Sequence, residues 1–219
     1  DQVGGGHGQE QLGLGLGPDL PGRRFDREIV VEDAFSLPEA PDGIRFLAGV
    51  DLLLPLERTA GDEFQGVLGE PASLPRVVEL LLRENAWNIG IGIGAVDGPL
   101  PDNTRAGRGP AYLHARSAVT SAKNSPWHLR VVGDDPGARA LETTLWLWAA
   151  VLARRTTGGW EVADLVDEGL SYEEAGRRLG ISQSAVSQRA QSAGIVEGRR
   201  ARELVTDLTA ALLRVEVSS

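Results

Sequence analysis

The stretch "SYEEAGRRLGISQSAVSQRAQSAG", Ser171–Gly194, carries the strongest structural signal in the chain. Ser171 and Glu174 have the S-x-x-E spacing of a capping box, which predicts a helix that starts after Ser171 and stops at Gly180. A second helix follows almost at once, with Ser182 as its N-cap. Two short helices joined by a glycine-containing turn of this length form a helix-turn-helix.

The side chains of these two helices divide into a packing set and an exposed polar set. The small or apolar residues expected to pack the helices together are Ala175, Gly176, Leu179, Ile181, Val186 and Ala190. Glutamine can bond adenine through two hydrogen bonds, and serine can bond several bases, so the polar residues of the second helix suit base edges in duplex DNA. The predicted DNA-binding residues are Arg177, Ser182, Gln183, Ser184, Ser187, Gln188, Arg189 and Gln191.

Charge in this region supports a DNA partner. Segment 176–202 holds six arginines against Glu197 alone, a balance of +5 in a chain of net charge −9. The arginines are Arg177, Arg178, Arg189, Arg199, Arg200 and Arg202. The acidic total argues against non-specific coating of nucleic acid, whereas the local basic face suits phosphates. The alternative is a solvated arginine face on a structural or protein-binding helical hairpin.

The residues before this module predict an α+β fold. Strands, a hairpin and helices alternate, which favours a ferredoxin-like or palm-type antiparallel sheet with helices on one face, followed by a small all-α helix-turn-helix domain. We expect a Gly-rich flexible arm at 1–22, the sheet domain at 23–155 and the DNA-binding domain at 156–219, with the boundary at "TTGG".

The segment "WNIGIGIGAV", residues 87–96, alternates isoleucine with glycine. As a strand it has one apolar face and one face of nearly bare backbone, which allows a close neighbour. Either a packed helix or a ligand could occupy the bare face.

The segment "ERTAGDEFQGVL", residues 57–68, predicts two strands joined by a tight turn at Gly61 and Asp62. Asp62 could bind a metal or simply hydrogen-bond the turn, as aspartate often does. Asp62 and Glu63 are neighbours, so on a strand they would point to opposite faces and could not both line one site.

This hairpin resembles that of diguanylate-cyclase-type palm domains, whose signature is Gly-Gly-Asp/Glu-Glu-Phe, and that of class III nucleotide cyclases. The resemblance implies that Asp62 holds a magnesium ion near a nucleotide triphosphate, with Asp33 as the candidate second carboxylate. "GPAYLHARSAVTSAK" is similar to the cyclase helix that carries an asparagine and an arginine. Arg116 takes the arginine position, Tyr112 stands in place of the asparagine, and Ala60 replaces the first signature glycine.

The order of these motifs, from Leu53 to Gly194, resembles the SatD family of bacterial proteins, which are regarded as DNA-binding. The resemblance implies a degenerate cyclase-like domain joined to a helix-turn-helix. The candidate nucleotide-binding residues are Asp62, Glu63, Arg105, Arg108 and Arg116, and Asp62 is the candidate metal ligand. No cofactor is required by the sequence itself, and Mg²⁺ with a nucleotide is the one that the resemblance suggests.

We therefore expect a transcriptional regulator that binds double-stranded DNA as a homodimer, with a possible nucleotide effector. The alternatives are a magnesium-dependent nucleotide-processing enzyme and a purely structural partner-binding protein. The chain has no cysteine, its three histidines lack metal-type spacing, and no apolar run nears the roughly 20 residues of a membrane span. The N-terminus also lacks the features of a signal peptide, so we expect a cytoplasmic protein without membrane contact.

Overall fold

The computed structural model describes residues 28–35, 47, 49–58 and 63–214, with 28 and 32–35 described in backbone only. Five strands are present: β1 Glu28–Phe35, β2 Leu52–Arg58, β3 Glu63–Leu68, β4 Trp87–Gly94 and β5 Leu129–Gly133. Seven α-helices accompany them in this part of the chain: α1 Ser73–Glu84, α2 Pro110–Ala122, α3 Gly137–Leu152, α4 Thr157–Asp167, α5 Tyr172–Leu179, α6 Gln183–Ser192 and α7 Ile195–Leu213. The α+β class is confirmed.

The strands form one sheet in the order β2-β3-β1-β4-β5. The first four run antiparallel to their neighbours, with Val31 opposite Gly66 on β3 and opposite Ile91 on β4. β5 is parallel to β4, so the prediction of a wholly antiparallel sheet is wrong. The reason is α2, which returns the chain to the end of the sheet at which β4 begins, so that β5 runs in the same direction as β4.

Helix α2 occupies the bare face of β4. A Cβ atom on Gly90 would lie 2.3 Å from the backbone nitrogen of Val119, and one on Gly92 would lie 2.1 Å from the carbonyl oxygen of Ala111. No side chain fits between backbones at these distances. Of the two possible occupants of this face, the structure thus has the packed helix.

The opposite face of the sheet carries the main core. Ile89, Ile91 and Ile93 of β4 pack there with residues of α1, α3 and α7. The expectation of helices on one face only is therefore wrong, because the glycine face of β4 needs a cover as much as the isoleucine face does. Trp146 and Trp148 of α3 are two positions apart and cannot share one helical face, which predicts a helix covered on more than one side. Trp148 is buried and the Trp146 indole N–H donates to the carbonyl oxygen of Leu129, which confirms the prediction.

Helix α7 packs across α1 and α3 of the sheet domain. Val205, Leu212 and Leu213 are buried in the same core as the sheet. The sequence has an apolar stripe here, which favours packing on its own module over pairing with a second subunit; its residues are Leu204, Val205, Leu208, Leu212 and Leu213. The helix instead packs against the sheet domain. None of the helices in the described ranges is long and apolar enough to cross a bilayer.

The β2-β3 hairpin is present, with Arg58 opposite Phe64. The predicted turn at Gly61 and Asp62 lies outside the described residues, as does the arm at 1–22. At the start of α1, Ser73 is the N-cap that the sequence predicts, but the observed N-cap is Ala72. The Ser73 hydroxyl donates instead to the carbonyl oxygen of Asp51.

Candidate nucleic-acid interface

The helix-turn-helix forms from local signals. In the capping box, the Ser171 hydroxyl accepts from the backbone N–H of Glu174, and the Glu174 carboxylate accepts from the backbone N–H of Ser171 at 2.9 Å. Gly180 ends α5 in the left-handed conformation, with φ of 68°. The hydroxyl of Ser182 then accepts from the N–H of Ala185 and caps α6. The predicted caps are confirmed, and Gly180, Ile181 and Ser182 separate the two helices.

Close packing fixes how α5 and α6 cross. A Cβ atom on Gly176 would lie 2.9 Å from the carbonyl oxygen of Ile181 in the turn, so this position has room for glycine alone. Ala175, Val186 and Ala190 are buried against α4. Helices α4, α5 and α6 thus share a small core of their own, which holds the second helix rigidly on the module.

The solvent side of α6 is a polar ridge. The exposed residues on it are Gln183, Ser184, Ser187, Gln188 and Gln191, with Ser182 exposed at its N-terminal end. The Ser182 and Ser184 hydroxyls lie 2.9 Å apart. These side chains stand at the N-terminal part and along one side of the helix, which is the part that a recognition helix presents to the major groove.

The arginines of segment 176–202 divide into available and engaged cations. Arg177 and Arg178 are exposed on α5. Arg189 is half-buried and lies 3.6 Å from the Glu161 carboxylate of α4. Arg202 donates to Glu79 and Asp167, so its place among the phosphate-binding charges is corrected: nearby carboxylates neutralise it.

Glu79 of α1 joins the helix-turn-helix to the sheet domain. Its carboxylate accepts from Arg155 at 3.0 Å and from Arg202 at 2.7 Å, and only 4% of its side chain is exposed. Arg155 also donates to the carbonyl oxygen of Ala193, beyond the C-terminal end of α6. The C-terminal end of α6 is thereby attached to α1 through one buried arginine.

A second contact joins α1 to α4. Arg83 donates through both terminal nitrogens to the Asp164 carboxylate, at 2.9 Å each. The guanidinium carbons of Arg83 and Arg155 each lie 4.6 Å from the ring centroid of Trp160, within cation-π range. The indole of α4 is thus held by two cations from the sheet side of the junction.

These contacts shift the pKa values of the arginines in different directions. Burial lowers the pKa of Arg155, and the Glu79 carboxylate offsets part of that effect. The hydrogen bonds to Asp164 raise the pKa of Arg83. Burial acts against the charge of Arg202, but Asp167 and Glu79 outweigh it and raise its pKa overall. All three guanidinium groups remain charged at neutral pH.

The candidate nucleotide-binding residues are scattered. Asp62 lies outside the described residues, and Asp33 is described in backbone only. Arg105 donates to the backbone carbonyl of Arg58, Arg108 is exposed in the loop before α2, and Arg116 is exposed on α2. Glu63 begins β3. Among the described residues, no group of three or more histidines and carboxylates is close enough to hold a metal ion.

Sequence reasoning missed the residues of the domain junction. Glu79, Arg83, Arg155 and Trp160 gave no motif, and their partners are distant along the chain. One signal was present: Glu79 follows Val77 and Val78 and precedes three leucines in α1. A carboxylate within an apolar helical face is almost never buried without a partner, so it indicates a buried ion pair.

A family model for sigma-70, region 4, matches residues 150–193. The match runs from the end of α3 through α4, α5 and α6, and this family is a DNA-binding helix-turn-helix domain. The C-terminal helical region of the chain is thus a helix-turn-helix of a DNA-binding class. No curated protein and no solved structure matches the chain with statistical significance.

Proposed function

We propose that this protein is a transcriptional regulator that binds specific sequences in double-stranded DNA through α6. The observation that carries the proposal is the exposed ridge of glutamine and serine on the second helix of a module that matches sigma-70 region 4. Amide and hydroxyl groups on a recognition helix are the groups that read base edges.

The electrostatics of the module support the same function. Arg177 and Arg178 are exposed on α5, the helix that crosses the DNA backbone in helix-turn-helix complexes. Contacts to phosphates position the protein, and contacts to bases specify the sequence. In this proposal Arg177 positions α6, and Gln183 and Gln188 read bases.

We also propose a homodimer that reads two half-sites. One recognition helix makes few base contacts and binds weakly, so regulators of this class pair two helices about one helical turn of DNA apart. A monomer that binds one half-site at high affinity would contradict this part of the proposal.

The sheet domain serves nucleotide sensing or dimerisation in this proposal. Support comes from the motif resemblance to the SatD family and to the palm domains of nucleotide cyclases. An enzymatic role with Asp62 as the Mg²⁺ ligand has no specific support in the described residues, because Arg105 is engaged by a backbone carbonyl and α2 covers the glycine face of β4.

The test is selection of bound duplexes from a random DNA pool by the purified chain and by a Gln183→Ala/Gln188→Ala variant. We expect an enriched motif whose base preferences relax in the variant. A Ser117→Ala/Thr120→Ala variant, changed on the exposed side of α2, should select the same motif as the unmodified chain.

A third variant separates positioning from base reading. Arg177→Gln should weaken binding about equally across sequences and lower the salt dependence, because one phosphate contact is lost. Two results would contradict the proposal. One is that no motif is enriched at moderate salt, and the other is that the Gln183→Ala/Gln188→Ala variant selects the same motif with the same base preferences.

A further inference from the structure

A cavity of about 670 Å³ lies where the sheet domain meets the helix-turn-helix. We call it the junction cavity. Its wall is built from the end of α1, the start of β4, segment Pro126–His128, the end of α3 and Trp160 of α4. The volume falls in the range of small-molecule sites, about 300 to 1,000 Å³. None of the predicted DNA-binding residues lines it, and neither do Glu63, Arg105, Arg108 and Arg116, the predicted nucleotide-binding residues that the structure describes.

Three of the five tryptophans in the chain line the junction cavity: Trp87, Trp127 and Trp160. Trp87 is buried, Trp160 is half-buried, and Trp127 is 40% exposed. Indole rings favour offset-stacked or edge-to-face contacts with other rings. This wall therefore suits a flat aromatic molecule better than a compact aliphatic one.

The backbone around the junction cavity is unusual. Every non-glycine residue with positive φ in the described part of the chain lines it: Asn85 at 51°, Trp127 at 58° and His128 at 50°. Asparagine is common in this conformation at the end of a helix. For a bulky residue such as Trp127 it is an outlier, and such outliers concentrate at ligand sites. Trp127 thus has an unfavourable backbone conformation at the position where its side chain forms part of the cavity wall.

The charges on the wall favour an anion. Arg83 and Arg155 line the junction cavity, and no carboxylate of the described residues does. The carboxylates of Glu79, Asp164 and Asp167 line a second, small cavity. Arg83, Arg155 and Trp160 line both cavities, so they form the partition between them.

Arg83 is the cation that a ligand can reach. Its side chain is 37% exposed, whereas that of Arg155 is 3% exposed and bonded to Glu79. Arg83 gives two of its five N–H donors to Asp164. A guanidinium with further donors beside an aromatic wall complements a carboxylate attached to a planar ring.

We propose that the junction cavity binds a planar aromatic carboxylate, with its ring against Trp127 and its carboxylate facing Arg83. Trp160 and Asp164 both belong to α4, so a ligand here contacts the sheet domain and the DNA-binding module together. The ligand then changes DNA affinity. That last step rests on the proposed function, whereas binding of the ligand does not.

The first test is calorimetric titration of the full chain with 2-naphthoate. Two matched probes accompany it: 2-naphthamide, which keeps the ring without the charge, and cyclohexanecarboxylate, which keeps the charge without the flat ring. We expect 2-naphthoate to bind at least about tenfold more tightly than either. No binding of 2-naphthoate at millimolar concentration, or equal binding of all three, would overturn the proposal.

Variants place the ligand in the cavity. Trp127→Ala should weaken 2-naphthoate binding about tenfold, while Leu113→Ala, which removes a 72% exposed side chain from α2, should leave it unchanged. Arg83→Gln should weaken binding. Asp164→Asn should strengthen it, because Arg83 loses its competing carboxylate. The site would be overturned if Trp127→Ala and Leu113→Ala changed the affinity for 2-naphthoate equally. It would also be overturned if Arg83→Gln and Asp164→Asn, both correctly folded, changed that affinity in the same direction.

The coupling to DNA has its own measurement. Duplex affinity is determined with and without saturating 2-naphthoate, and ligand affinity with and without duplex. Thermodynamic linkage requires the ligand to change duplex affinity by the same factor by which the duplex changes ligand affinity. We expect this factor to be at least fivefold. If 2-naphthoate binds without any change in duplex affinity, the proposed coupling is wrong, but the proposed ligand site is still supported. If the chain binds no duplex at all, the proposed function fails and the calorimetry still decides the site.

Discussion

Glu79 is a carboxylate on the buried face of α1, and its two partners, Arg155 and Arg202, lie 76 and 123 positions further along the chain. A buried ion pair contributes little net stability compared with an apolar pair, because both charges lose their hydration. Removal of one partner is a different matter, since it leaves the other charge buried and unpaired. Loss of the Glu79 carboxylate would therefore leave Arg155 buried without its ion-pair partner at the junction.

Glu79→Gln should lower the free energy of unfolding by about 3 kcal/mol, because Arg155 and Arg202 lose their shared carboxylate inside the junction. Urea denaturation measures the change. The control is Glu203→Gln on α7, which pairs with the exposed Arg200 and should cost less than about 0.5 kcal/mol. Equal, small losses in the two variants would show that the network does not hold the junction.

Glycine positions decide the packing of whole elements. On β4, Gly92→Ala should destabilise the protein by more than about 2 kcal/mol, because its Cβ atom would lie 2.1 Å from the carbonyl oxygen of Ala111 and would force α2 away from the sheet. Gly69→Ala is the matched control, since its Cβ atom would lie 3.5 Å from that of Leu53, an ordinary contact. Thermal unfolding compares the two, and a stable Gly92→Ala variant would contradict the described α2-β4 packing.

The capping box of α5 gives the module an acid-sensitive element. Ser171 donates to the Glu174 carboxylate through its hydroxyl and its backbone N–H, and these bonds lower the pKa of Glu174. A carboxylate with a depressed pKa stabilises the fold above its unfolded pKa of about 4.3, and the contribution is lost as pH falls through the folded value.

Glu174→Gln should therefore cost stability at pH 7 and progressively less as pH falls below about 4. Denaturant titrations of both proteins from pH 7 to pH 3 measure the difference. A difference that grows toward low pH, or that stays constant across the range, would contradict the stated role of the Glu174 carboxylate.

Elements with local signals were predictable from the sequence. The S-x-x-E box, Gly180 and Ser182 lie within twelve residues of one another, so their spacing alone predicts both helices of the helix-turn-helix. The alternating glycines of β4 likewise indicated a close neighbour. The parallel β5 was missed because strand direction depends on where α2 returns the chain, which no residue within β5 encodes.

At the scale of the whole molecule, α7 and the junction were the least predictable features. The stripe on α7 shows which face is buried, but the stripe alone does not show that its partners are α1 and α3. The ion pairs of Arg155 and Arg202 depend on that docking. Of the candidate site residues, those on α6 are exposed on one helix as the helical pattern predicts, and their contact with DNA stays a prediction, as does the role of Asp62.

Direct side-chain contacts connect the sheet domain to the helix-turn-helix module. Trp160 of α4 contacts Arg83 of α1, and Arg155 contacts both Glu79 and the residue after α6. Side chains in direct contact therefore connect the junction to the residue that follows α6. This arrangement suits a regulator whose DNA affinity depends on the state of its other domain.

The most direct measurement of the central claim uses the absence of cysteine in the chain. A single Ser187→Cys on α6 is coupled to an iron chelate that cleaves DNA, and the same is done for Ser117→Cys, an exposed serine on α2. On the duplex obtained by selection, we predict cleavage confined to the selected motif with the label on α6 and none with the label on α2. Cleavage by both labels alike, or by the α2 label alone, would show that DNA does not bind at α6.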